Sequence, residues 1–224
     1  MVQTLHAGRE AVQDGRQGKV ADRRQSAESR IQTRNREAIL AAALEVFSAY
    51  GFRGATLDQI AEVAGMSKPN ILYYFGSKEA IHGAVLSGLL DTWLDPLRAL
   101  DPQGDPVTEI LAYVHRKLEM SRLYPRESRL FANEILQGAP RIMAALSGEL
   151  KALVDDKAAV LRDWARAGRI ADLPPHHLIF SIWALTQHYA DFDVQVRAVL
   201  GPGHDPFAEA DRFLDTLFRK LLAP

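Results

Sequence analysis

Residues 56–75 read TLDQIAEVAGMSKPNILYYF, and the reading of that stretch sets the fold class. Thr56 and Gln59 stand three apart ahead of Leu57, Ile60 and Ala61, the spacing of a reciprocal cap at a helix start. Gly65 can end that helix because glycine enters the left-handed region without a Cβ clash. Ser67 then caps a second short helix, whose first turn tolerates Pro69 because the nitrogen there has no intrahelical partner. Gly76 and Ser77 interrupt it. Helix, glycine-containing turn and helix make a helix-turn-helix, whose second helix lays its N-terminal residues against base edges in the major groove of DNA.

The exposed start of that second helix is Ser67-Lys68-Pro69-Asn70. Lys68 and Asn70 carry donors suited to acceptors in the groove. The Tyr73 and Tyr74 hydroxyls, Thr56, Arg53, Lys78 and the free N–H groups at the Ser67 and Ser77 helix starts suit phosphate oxygens. Ile71, Leu72 and Phe75 form the inward set. A plain helical hairpin within a bundle, with both tyrosines packed, would show the same pattern. On these residues alone both readings stand.

Working outward, Ile39, Leu40, Ala43, Leu44 and Phe47 form an amphipathic stripe, which predicts a helix from Thr33 to an end at Gly51. Residues 1–32 show no sustained period and few bulky apolar groups, so a disordered tail is expected there. After residue 77 the punctuation predicts helices over 78–95, 106–123, 126–137, 141–167, 175–199 and 207–222. No strand pattern, repeat or low-complexity tract is found. The expected fold is all-α, with a three-helix DNA-binding unit at 33–80 and a helical ligand-binding and dimerisation domain at 81–224.

Composition sets limits without choosing a function. The chain has 224 residues and a formal net charge of −1, so charge alone does not mark a nucleic-acid binder. Cysteine is absent, which excludes disulfides, thiolate metal sites and cysteine nucleophiles. The sequence shows neither a run long enough to span a bilayer nor a secretory apolar core near its start, so a cytoplasmic location without membrane contact is expected. No cofactor and no metal site is expected, and His176-His177 after Pro174-Pro175 reads as an exposed helix start.

Residues 36–83, including GFRGATLDQIAEVAGMSKPNILYYFGSKEAI, resemble the N-terminal domain of the TetR family of transcriptional regulators. The aromatic pair, phenylalanine and Ser-Lys-Glu at residues 73–79 carry the resemblance. It implies a connecting fourth helix, a variable effector-binding and dimerising domain, and binding of a homodimer to palindromic double-stranded operator DNA. Pro69 departs from the hydroxyl residue common at that place in the family, which leaves the operator sequence open.

The second half offers polar side chains in apolar surroundings. In HHLIFSIWALTQHYADFDVQV (176–196), Trp183, Gln187 and Asp191 lie four apart and share a face. A glutamine there either bonds a backbone carbonyl or meets the edge of a planar imide or amide ligand. Trp183 is either a stacking face for that ligand or core. Asn133 and Glu134 in SRLFANEILQGAP are further effector-contact candidates, with Glu134 buried or paired to Arg129 or Arg141, and Trp93 sits where the connecting helix would meet a pocket. The blocks WLDPL, RLYPRESRLFANEIL, GELKALVDDK and PPHHLIFSIWALTQHYADF resemble regulators of pyrimidine utilisation within the same family. That resemblance implies a repressor of pyrimidine-catabolism genes, released by uracil or thymine. The alternatives are a repressor answering a more hydrophobic small molecule and, more remotely, a small-molecule enzyme using Glu134 or Asp191 as acid or base; no catalytic motif is found.

Overall fold

The structure, a computed structural model, describes residues 7–224, with side chains from Ser29 onward. All regular structure among the described residues is helical. The DNA-binding unit comprises α1 (Ala7–Gly54), α2 (Leu57–Ala64), α3 (Lys68–Phe75) and the start of α4 (Lys78–Arg98). The remainder comprises α5 (Pro106–Leu123), α6 (Pro125–Leu136), α7 (Met143–Ala145), a π-helical turn (Leu146–Leu150), α8 (Lys151–Arg166), α9 (Pro175–Asp191), α10 (Asp193–Leu200) and α11 (Pro206–Leu222). No helix of the described residues is long and apolar enough to cross a membrane.

Local rules account for the caps. Thr56 Oγ1 accepts from the Gln59 backbone N–H at 3.2 Å while Gln59 Oε1 accepts from the Thr56 N–H at 2.9 Å, and Gly65 closes α2 at φ 64°. Ser67, Ser77, Asp105 and Asp205 cap α3, α4, α5 and α11 through their side chains.

The helix boundaries follow expectation at one point and depart from it at others. The tail expected over residues 1–32 lies outside the described residues for its first six, and the backbone from Ala7 onward belongs to α1. Gly51 ends the first stretch of α1 as expected, leaving the helical region at φ 65° and ψ 172°, and one further turn to Gly54 carries Phe52. Pro96 lies inside α4, whose last turn is tied down by Arg98 donating to the Asp91 carbonyl at 3.1 Å and to Asp95 and Glu149 carboxylates at 2.8 and 2.6 Å. The long helices expected at 141–167 and 175–199 are each broken, the first by the π turn and the second at Phe192, which ends α9 and begins α10. Neither break carries a proline to mark it.

Two cores result. One lies among α5, α8, α9 and α11 around Val114, Leu161, Ile179, Leu214 and Phe218. The other fills the DNA-binding unit with Ile39, Phe47, Ile60, Ile71 and Ile81, yet it also takes in Leu130 of α6 and Ile142. Helix α6 is therefore packed into the DNA-binding unit, across the boundary expected near residue 80.

Candidate functional site

Helix α3 is pinned by Ile71, which is fully buried, while Ser67, Lys68, Pro69, Asn70 and Tyr73 are all exposed. The Ser67 hydroxyl accepts from the Asn70 backbone N–H at 3.4 Å, leaving the Asn70 carboxamide facing solvent. Lys68 Nζ lies 3.0 Å from Asp58 Oδ2 in an exposed pair, a weak link that a phosphate or base acceptor can replace. Tyr74 is half-buried: its hydroxyl accepts from Asn35 Nδ2 at 2.8 Å and its carbonyl from Arg36 Nη1 at 2.8 Å. Arg36 also stacks 4.3 Å from the Phe75 ring centroid. Arg53 and Thr56 are exposed at the end of α1 and the start of α2.

Lys78, expected to meet a phosphate, is half-buried between α1 and α4. Its ammonium donates to the carbonyls of Phe52 at 2.9 Å and Ala55 at 2.8 Å and lies 4.6 Å from the Phe52 ring centroid. Two of its three donors thus hold the corner between α1 and α4, leaving one for any outside acceptor.

On the other side, a cavity of about 640 Å³ opens between α6, the π turn and α9. Asn133, Trp183, Gln187 and Asp191 all line it, so four of the six residues singled out as effector contacts meet there. The Trp183 indole donates to the Tyr113 hydroxyl at 2.6 Å, which fixes the ring. Burial holds the Tyr113 hydroxyl away from ionisation, although the indole bond partly opposes this. Asp191 accepts from Ser128 Oγ at 2.6 Å, and burial raises its pKa against that bond and the nearby cations. Gln187 makes no side-chain hydrogen bond among the described residues and is half-buried, so its carboxamide is available. Phe131, Ile135, Leu136, Leu146 and Leu150 supply the apolar wall, the last two from the ends of the π turn.

The other two candidates lie elsewhere. Trp93 is buried and meets the cavity only through Phe131, its ring centroid 5.0 Å away. Glu134 is turned toward the DNA-binding unit, where Arg141 donates to it from its backbone N–H at 2.9 Å and from Nη1 at 2.8 Å. The pairing with arginine is the one expected, with Arg141 rather than Arg129. Arg129 instead donates to the Ala190 carbonyl at 3.1 Å and lines the cavity.

Lys117 was missed. It is buried beneath Trp93, with Nζ 5.4 Å from that ring's centroid, and burial pulls its pKa down to about 8 against the opposing pull of Asp191. The signal was its place on the buried stripe Ile110, Val114, Lys117, Ser121, where a lysine has to be explained.

Residues 39–85 match the family model described as "Bacterial regulatory proteins, tetR family", and residues 86–224 match that of "YcdC-like protein, C-terminal region". The chain is 54% identical over 173 residues to the HTH-type transcriptional regulator RutR of Escherichia coli K12, covering 77% of this chain and 82% of that one. It is 31% identical over 145 residues to the HTH-type transcriptional repressor NicS of Pseudomonas putida, covering 62% and 66% respectively. A solved structure of a Streptomyces coelicolor protein superposes with a TM-score of 0.66 at 26% identity, over 84% of this chain and 98% of the other. With a helix-turn-helix presented by three packed helices, a ligand-sized cavity behind it and both halves matched, the chain belongs to the TetR family of transcriptional regulators.

Proposed function

We propose that the chain is a homodimeric repressor that binds palindromic operator DNA through α3 and is released when a pyrimidine base, uracil or thymine, enters the cavity between α6 and α9. The observation that carries this reading is the convergence of Asn133, Gln187 and Asp191 beside Trp183. The imide edge of uracil presents carbonyl, N–H and carbonyl in a row. A carboxamide answers one carbonyl and the N–H together, a carboxylate accepts from a second N–H, and the indole gives the ring a flat neighbour. The likeness to regulators of pyrimidine utilisation supports the same effector class.

The two recognition helices of a dimer must stand about 34–36 Å apart to enter successive major grooves on one face of the duplex. An effector that favours a different spacing lowers operator affinity by its differential affinity for the two states, and tenfold needs about 1.4 kcal/mol.

A second reading keeps the repressor and changes the ligand. At about 640 Å³ and with an apolar wall, the cavity holds far more than one small ring, which favours a larger hydrophobic effector. Calorimetry with uracil, thymine and a lipophilic cation separates the two. Heat with either pyrimidine and none with the cation supports the first, and heat with the cation alone supports the second.

A further inference from the structure

A second chamber of about 450 Å³ lies where the DNA-binding unit meets α6. Its floor is aromatic: the Phe47 and Phe52 rings stand edge-on to the His82 imidazole, with centroids 4.6 and 5.0 Å away. Two residues bordering it, His82 and Ser48, each bury a side-chain polar atom without a hydrogen-bond partner, Nδ1 and Oγ respectively. His82 is only 2% exposed, and native proteins seldom leave such groups unanswered. The nearest carboxylate oxygen, Glu134 Oε2, is 4.0 Å from Nδ1, beyond hydrogen-bond reach, and both Glu134 oxygens already accept from Arg141. Burial lowers the His82 pKa to about 4, so the imidazole is neutral and offers a hydrogen bond rather than a charge.

The rim has the opposite character. Arg126 and Arg129 border the chamber from α6, and the Asn133 and Gln137 amides stand beside them. Arg126 is paired with Glu127 at 3.3 Å and Arg141 with Glu134 at 2.8 Å, so Arg129 leaves the rim with a net positive charge. The chamber thus runs from guanidinium groups at its mouth, past two unanswered hydrogen-bonding atoms, to a floor of phenyl rings.

We propose that this junction chamber is a ligand site distinct from the α6–α9 cavity, built for a small 2-hydroxy acid with an apolar body. The carboxylate faces Arg126 and Arg129, the hydroxyl bridges Ser48 Oγ and His82 Nδ1, and the apolar body lies on Phe47 and Phe52. The inference is independent of which effector enters the other cavity.

Three matched probes test it on the full chain: mandelate, phenylacetate, which lacks the hydroxyl, and benzyl alcohol, which lacks the carboxylate. The readout is the His82 imidazole ¹H–¹⁵N resonances, assigned by their loss in His82→Gln. Mandelate is expected to shift them saturably at millimolar concentration. Phenylacetate and benzyl alcohol are each expected to bind at least fivefold more weakly. Arg126→Gln and Ser48→Ala, at an exposed and a half-buried position, are each expected to weaken mandelate at least fivefold, while Gln187→Leu leaves it unchanged. The proposal is overturned if sodium chloride at matched ionic strength reproduces the mandelate shift. It is equally overturned if both variants titrate as the native chain does, or if the three probes bind alike.

Discussion

The Lys78 ammonium donates to the backbone carbonyl of Phe52 at 2.9 Å, closing the corner between the kinked end of α1 and the first turn of α4. Lys78→Met keeps the stem but leaves the Phe52 and Ala55 carbonyls without that donor. A loss of about 2 kcal/mol in unfolding free energy is expected from charged hydrogen bonds in a half-buried setting. Urea unfolding checks this, and an unchanged midpoint would move Lys78 back to a purely DNA-facing role.

His82 predicts a pH dependence of stability. Its pKa is lowered by burial to about 4, whereas in the unfolded chain it is near 6.5. Between those values the unfolded chain binds a proton that the folded chain refuses, so stability falls as pH drops from about 6.5 to 4. The full contribution is roughly 3 kcal/mol. His82→Leu should remove that component, and comparing the slopes of the two proteins' unfolding free energies against pH tests it.

Asn70 presents its carboxamide to solvent at the first turn of α3. Asn70→Ala should weaken the operator complex by about 1–3 kcal/mol and relax choice at one base pair. Competition binding with single-base operator variants would show it; an equal penalty at every position would instead mark a phosphate contact.

Gln187→Leu places an apolar group where the free carboxamide borders the α6–α9 cavity. Operator binding without effector should stay intact, while release by uracil is lost. Mobility shifts with and without uracil distinguish the outcomes, and retained release would remove Gln187 from the effector site.

Phe213 of α11 is 55% exposed and Phe180 of α9 is 47% exposed, so each of these two helices leaves a large apolar side chain facing water. If α9 and α11 form a two-fold four-helix interface, Phe213→Glu should yield monomers and abolish tight operator binding. Sedimentation velocity reads the first effect directly, and a dimer that survives the change would place the interface elsewhere.

Much of this architecture was legible because its boundaries are written in residues with one local meaning. Thr56, Gly65, Ser67 and Ser77 each cap or stop a helix where they were expected to. The breaks at residues 146–150 and at Phe192 were not legible, since no proline marks either of them. The gathering of Asn133, Gln187 and Asp191 around one cavity was foreshadowed only for the pair on α9, four residues apart. That α6 supplies the facing wall is a tertiary fact. Glu134 shows the limit most clearly: its burial and arginine partner were expected, but sequence alone did not say toward which half of the molecule it turns.

One consequence of α6 remains. Leu130, Glu134 and Gln137 look into the junction chamber, Phe131, Ile135 and Leu136 into the α6–α9 cavity, and Arg129 and Asn133 border both. A single rod forms the party wall of two rooms, so any roll about its axis that enlarges one must shrink the other. Substitutions along this helix should therefore produce paired phenotypes, in which gain at one chamber is accompanied by loss at its neighbour.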